Sequence, residues 1–288
     1  MKSSGGLSWG FIGVAAFSLT LPATRMAVAA LDPLLVALGR GLGAALLAAV
    51  VLAATRTRLP TRAEWRLLVA SAAGVVFGFP LLTTWAMKYA PAAHGAVVLA
   101  ILPLATAAAG AIVAHERPSK GFWIAALAGS AAVAAFALRE GTGALHAADL
   151  ALLAAVLCAA FGYAFGARAA ATLGSWQSIS WTLAACLPLL VPFAPFFIPD
   201  NAIAVPASAW LGLAYVALVS QYLGFFAWYR GLATGGIARV GQLQLLQPFM
   251  TLVASAILLG EAVSLSMVAF AAIVVAIVAF GRAMPVER

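Results

Sequence analysis

Residues 94–116 read HGAVVLAILPLATAAAGAIVAHE and residues 239–261 read RVGQLQLLQPFMTLVASAILLGE. Pro103 and Pro248 each precede a carboxylate, Glu116 and Glu261, by thirteen residues, and a shift of 145 lays one segment on the other without a gap. His94 then falls on Arg239. One shared proline and one shared acid would mean little in an alanine-rich chain, but each segment also stands fourth in a set of five apolar stretches. The chain is therefore read as one unit written twice, residues 1–144 and 145–288, and a repeat of this kind governs the architecture before any local feature does.

Of the 288 residues, 65% are hydrophobic and 8% are charged, about a third of the charge of a soluble domain. Ten apolar runs of this length cannot be hidden from water in a globular fold. They are continuous and about twenty residues long, which fits helices and excludes the alternating strands of a membrane barrel. Spans are expected at about 7–29, 34–54, 66–87, 92–114 and 119–138, and again at about 147–169, 177–198, 208–229, 237–259 and 265–282. The fold class is all-α and integral to the membrane. Residues 1–30 resemble a cleaved signal only superficially. Their apolar run is too long and nine further spans follow, so this segment is read as a retained first span.

The net charge of +8 does not indicate nucleic acid, because the basic residues sit in short loops and form no patch interleaved with aromatics. With the N-terminus inside, the inner loops and termini carry eleven Lys and Arg and the outer loops two, Lys88 and Arg139. The positive-inside rule then puts both termini in the cytoplasm. Five spans per unit is an odd number, so the second unit crosses the membrane inverted. Inverted repeats can exchange conformations about a site near the midplane, closing one mouth as the other opens.

With these features the chain resembles the ten-helix, EamA-type branch of the drug/metabolite transporter superfamily, and in particular its bacterial amino-acid and metabolite exporters. The segments ILPLATAAAGAIVAHE and LLQPFMTLVASAILLGE and the helix after each carry the resemblance, which spans Leu7 to Gly281. His115 stands where the family pattern has Gly before the acid, whereas Gly260 keeps it. The resemblance implies a basket of helices around a central cavity, a bacterial inner-membrane location, and a small-molecule substrate such as an amino acid. It leaves multidrug efflux and metabolite uptake open, and monomer and homodimer alike.

No carboxylate falls in the middle of a span; all eight lie in loops or within a turn of a span end. Cys158 and Cys186 sit inside spans as isolated thiols, and no cofactor or metal site is drawn from the chain. An intramembrane enzyme would need a mid-membrane nucleophile with its base or an acid cluster, so no catalytic role is expected. The midplane polar groups are Gln242, Gln244 and Gln247. An amide in hydrocarbon must face protein or a wet cavity; these three are read as substrate-binding, with interhelical hydrogen bonding as the other reading. Tyr163 and Trp85 are added as stacking surfaces for a substrate side chain. Arg25, His94, Arg168 and Arg239 are read as mouth or gate residues. Arg40 is placed near an outer span end, its charge reaching the interface along its stem. Pro103 and Pro248 are the expected hinges, since each strips a donor from the carbonyl one turn earlier.

Overall fold

The computed structural model describes residues 3–114, 117–140, 146–197, 202–283 and 286–287. Its helices are α1 (Gly5–Val28), α2 (Pro33–Thr55), α3 (Arg62–Tyr89), α4 (Ala92–Ala114), α5 (Lys120–Glu140), α6 (Ala147–Leu173), α7 (Ser175–Pro195), α8 (Ala207–Gly235), α9 (Ile237–Leu259) and α10 (Leu265–Ala283). Eight of them, all but α5 and α10, are long and apolar enough among the described residues to cross a membrane. The sequence reading expects ten such spans; α5 and α10 carry the shorter apolar cores Trp123–Phe136 and Leu265–Ile277. Glu116, His115 and the linker residues Gly141 and Gly143 lie outside the described residues.

Local sequence sets the helix ends. Asp32 caps α2, accepting from Leu34 N at 2.8 Å, with Pro33 placed at the first turn where its missing N–H costs nothing. Thr61 and Glu64 form a capping box at α3, and Arg58 forks onto the same carboxylate at 2.9 and 2.7 Å. That hydrogen-bonded fork raises the pKa of Arg58, which lies in the loop before α3. Single glycines join α6 to α7 and α8 to α9: Gly174 (φ 100) and Gly236 (φ 89) take left-handed conformations that a side chain would resist.

The burial pattern is that of a protein in lipid. Leu46, Val50, Leu127, Val253 and Ile257 point outward, while Thr24, Arg40, Ser71, Thr106, Gln221 and Gln244 are buried. Helices α1 and α8 cross closely, a Cβ on Gly6 meeting Gly235 Cα at 2.8 Å and one on Gly231 meeting Gly10 N at 2.7 Å. Helices α3 and α6 do the same through Gly74 and Gly162, 2.9 Å by the same measure. Gly39 and Gly43, spaced four apart on α2, meet little: the nearest atoms are 4.0 and 3.7 Å away. Besides α1 with α8 and α6 with α3, α2 meets α7, α4 meets α9 and α5 meets α10. Replacing each helix by the one five places along leaves this set of pairings unchanged.

Helices α1, α3, α4, α8 and α9 lose α geometry in mid-span, and in all of these but α8 a proline stands at the break. Pro22 cannot donate to Ser18 O, and Thr251 Oγ1 of α9 does so instead at 2.7 Å, beside the break at Leu19. Pro103 and Pro248 leave Leu99 O and Gln244 O unserved; 3₁₀ turns at Leu99–Ile101 and Gln242–Leu246 satisfy them from Leu102 N and Gln247 N. In α3 a π-helical stretch, Ala73–Gly78, bonds Phe79 N to Gly74 O. The next donor in that register would be Pro80, so Val75 O accepts from Gln221 Nε2 of α8 at 2.8 Å. Gln221 itself sits in the π stretch Tyr215–Leu223, which covers the place of Ala73–Gly78 shifted by 145.

Candidate functional site

The irregular segments converge on one point. Thr20, Val75, Phe79, Leu99, Ser220, Gln221 and Gln247 lie in or beside them, and all line a central cavity with Arg40 and Tyr163. Broken helices at membrane depth are tolerated where they face protein or a cavity. The cavity has about 20 Å³ of space, enough for about one water. Phe17, Leu21 and Phe225 complete its apolar side. Phe17 stacks on Tyr163, ring centroids 6.2 Å apart, and Trp228 closes edge-on behind both.

Arg40 is the charge in this cavity. It is 2% exposed, and Nη2 donates to Ser220 Oγ at 3.1 Å, which in turn meets Thr20 Oγ1 at 2.8 Å. Nε and Nη1 have no partner, and neither of the two ion pairs among the described residues includes Arg40. The expectation that Arg40 reaches an interface is therefore corrected. Its stem enters α2 about two turns below Pro33, and the packing of α7 and α8 on α2 blocks the path outward. Gln221 Oε1 and Gln247 Oε1 are also buried without a partner.

The end of the bundle carrying Pro33, Pro91 and His146 is open. A vestibule of about 600 Å³ lies there, lined by Trp85, Tyr89, His94, His146, Asp149 and Met267. His94 Nε2 stands 2.6 Å from Asp149 Oδ1, and Asp149, 1% exposed, also accepts from His146 N at 3.1 Å. Following α4 inward, His94 faces the vestibule, Ala96 a small pocket shared with Pro248 and Thr251, and Leu99 the central cavity. At the opposite end the helices pack through the glycine crossings and through Ser71, whose hydroxyl donates to Gly162 O at 2.9 Å and meets Tyr229 Oη at 3.0 Å.

The structure thus brings Gln247 and Tyr163 together at the cavity and places the other sequence-expected residues elsewhere. Gln244 is buried behind it, Oε1 accepting from Thr106 Oγ1 at 3.3 Å, and Gln242 is buried with Oε1 unpartnered. Trp85 lies in the vestibule against Tyr89, 39% exposed. Arg25 donates to Met87 O and Lys88 O, and Arg168 to Val113 O at 2.8 Å, so both serve carbonyls at helix C-termini. Arg239 is exposed in α9. Glu261 holds the start of α4, taking Ala92 N and Ala93 N at 3.0 and 2.9 Å. Sequence reasoning missed Arg40 and Gln221 as cavity residues. The rule applied to the α9 glutamines would have found Gln221, a polar group equally far inside an apolar run.

The EamA-like transporter family model matches the chain twice, over residues 4–138 and 146–281. The chain is 46% identical over 281 residues, 98% of each sequence, to "Uncharacterized transporter YdeK" of Bacillus subtilis (strain 168). A crystal structure 20% identical shares the fold, with a TM-score of 0.70 over 98% of this chain and 99% of that one. On these matches and its apolar helices the chain belongs to the EamA-like transporter family, as a multi-pass membrane transporter of a small molecule.

Proposed function

We propose that this transporter exports amino acids across the bacterial inner membrane by alternating access, moving its cargo chemically unchanged. Ten helices form two five-helix units, residues 1–144 and 145–288, the second inverted, with both termini cytoplasmic. The observation that carries this reading is the position of the central cavity: it lies where irregular segments of both units meet, between an open vestibule and the close helix crossings of the opposite end. Such a state is one half of an alternating cycle. The pairing of helices under a five-place shift, and the 3₁₀ turn before both Pro103 and Pro248, support an exchange of shapes between the units. The charge in the cavity is cationic, which disfavours organic-cation drugs and suits a substrate bearing a carboxylate. Export follows the resemblance to bacterial amino-acid exporters.

The test is counterflow of a labelled amino-acid panel in liposomes holding the purified protein, with and without a pH gradient. Saturable exchange of a subset of amino acids is expected. Exchange of lipophilic cations with no amino acid exchanged would replace this reading with drug efflux.

A further inference from the structure

We propose that Arg40 is the anchor for the substrate carboxylate and that Gln221 and Gln247 receive its ammonium group, so that the central cavity is a zwitterion site for an apolar α-amino acid. This rests on the transport reading and names its site. A buried guanidinium using one of its three nitrogens on a neutral hydroxyl is under-satisfied. Removing such a charge from water is strongly unfavourable unless a partner of opposite charge or a full set of hydrogen bonds answers it. A purely structural role is poorly served by Arg40, because an apolar side chain of similar volume would pack there at lower cost.

The free groups are complementary to one ligand class. Each carboxylate-binding edge of a guanidinium pairs Nη2 with Nε or with Nη1; both of those nitrogens are free in Arg40, and Nη2 keeps a second N–H beyond its bond to Ser220, so an edge remains that can take a carboxylate through two parallel hydrogen bonds. Gln221 Oε1 and Gln247 Oε1 are acceptors without donors in the same cavity, and an ammonium brings donors and no acceptor. Gln221 is fixed in place, because its Nε2 is held by Val75 O. Beside the hydroxyls of Thr20 and Tyr163, the rest of the wall is mostly carbon, from Phe17, Leu21, Phe79, Leu99 and Phe225, which favours an apolar side chain. At about 20 Å³ the cavity must widen to admit such a ligand, and the 3₁₀ turns beside Leu99 and Gln247 are where the wall can move.

The test uses the full-length protein in detergent and measures binding by thermal shift with three probes: L-leucine, L-leucinamide, which lacks the carboxylate, and 4-methylpentanoate, which lacks the ammonium. Leucine is expected to bind about tenfold or more tightly than leucinamide, the scale of one charged hydrogen-bonded contact. Arg40→Met is expected to keep its fold, melt no lower than the parent, and lose leucine binding by a similar factor, with Arg40→Lys between the two. If 4-methylpentanoate matches leucine and still depends on Arg40, the carboxylate anchor stands, while the ammonium site and the amino-acid reading both fall. Equal binding of leucine and leucinamide, or no binding of either carboxylate, overturns the proposal without touching membrane transport itself, and this comparison needs no variant to fold.

Discussion

Replacing Glu261 should loosen a helix in the other half of the molecule. Its two carboxylate oxygens take Ala92 N and Ala93 N, the first free donors of α4, at 3.0 and 2.9 Å. Pro91, the residue in the capping position, supplies no side-chain acceptor of its own. A side-chain cap is worth about 1 kcal/mol, and a negative charge at a helix N-terminus adds about 0.3–1 kcal/mol when partly exposed. Glu261 is half-buried, so the sum is about 1.5–2 kcal/mol. At about 2–4 °C per kcal/mol for a large domain, Glu261→Ala should lower the melting temperature in detergent by about 3–8 °C. Glu261→Gln, which keeps one acceptor and loses the charge, should fall by about half as much. Melting is followed by intrinsic fluorescence, with Glu287→Ala as a control for a carboxylate near the C-terminus. An Ala variant that melts within about 1 °C of the parent would show that α4 is held without this cap, and the acid of the repeated motif would need another explanation.

Three further outcomes are expected. Pro103→Ala and Pro248→Ala restore a donor to Leu99 O and Gln244 O, so each should slow turnover at nearly unchanged substrate affinity. The two should also shift the outward and inward states in opposite directions, read by cysteine labelling from each side; identical labelling in both variants and the parent removes the hinge role. Gln247→Leu, at the cavity wall, should reduce transport about tenfold with the fold retained, and Gln244→Leu, one layer behind, should reduce it less; normal transport by both variants rules out the glutamines. Exchange in liposomes should run down a substrate gradient with no imposed proton gradient, and strict dependence on that gradient would overturn this expectation.

The repeat was legible because proline, acid and hydropathy are written in the one-dimensional chain. The bounds of α4 and α9 coincide under the shift of 145 that the motif defines. The irregular segments were half legible. The 3₁₀ turns follow from proline at known positions, but nothing in the local sequence of Tyr215–Leu223 announces a π stretch, since no proline lies within it. Arg40 was misread for a physical reason: distance from a span end says how far a charge must reach, and only tertiary packing says whether the path is open. Trp85 was misplaced for the converse reason, because an aromatic near a polar face fits a vestibule as well as a cavity.

The two units share their moving parts and differ in what they present to the substrate. Under the shift of 145, Thr106 corresponds to Thr251 and Pro103 to Pro248. Both threonines are buried and both prolines follow a 3₁₀ turn. At and just behind the cavity the correspondence breaks. Ser220, Gln221, Gln244 and Gln247 answer to Val75, Val76, Leu99 and Leu102, so α8 and α9 carry polar groups where α3 and α4 carry hydrocarbon. A symmetric frame is what alternating access requires, because each unit must be able to take the other's shape. A symmetric site would serve a substrate with two like halves. A cavity polar on one wall and apolar on the other instead holds an amphipathic molecule in a single orientation, with the guanidinium of Arg40 fixing its anionic end. Exchanging Val76 and Gln221 should therefore abolish leucine transport, with a lowered melting temperature because Val75 O loses its bond from Gln221 Nε2. A swapped variant that transports leucine normally would show that the asymmetry of the two units is incidental to recognition.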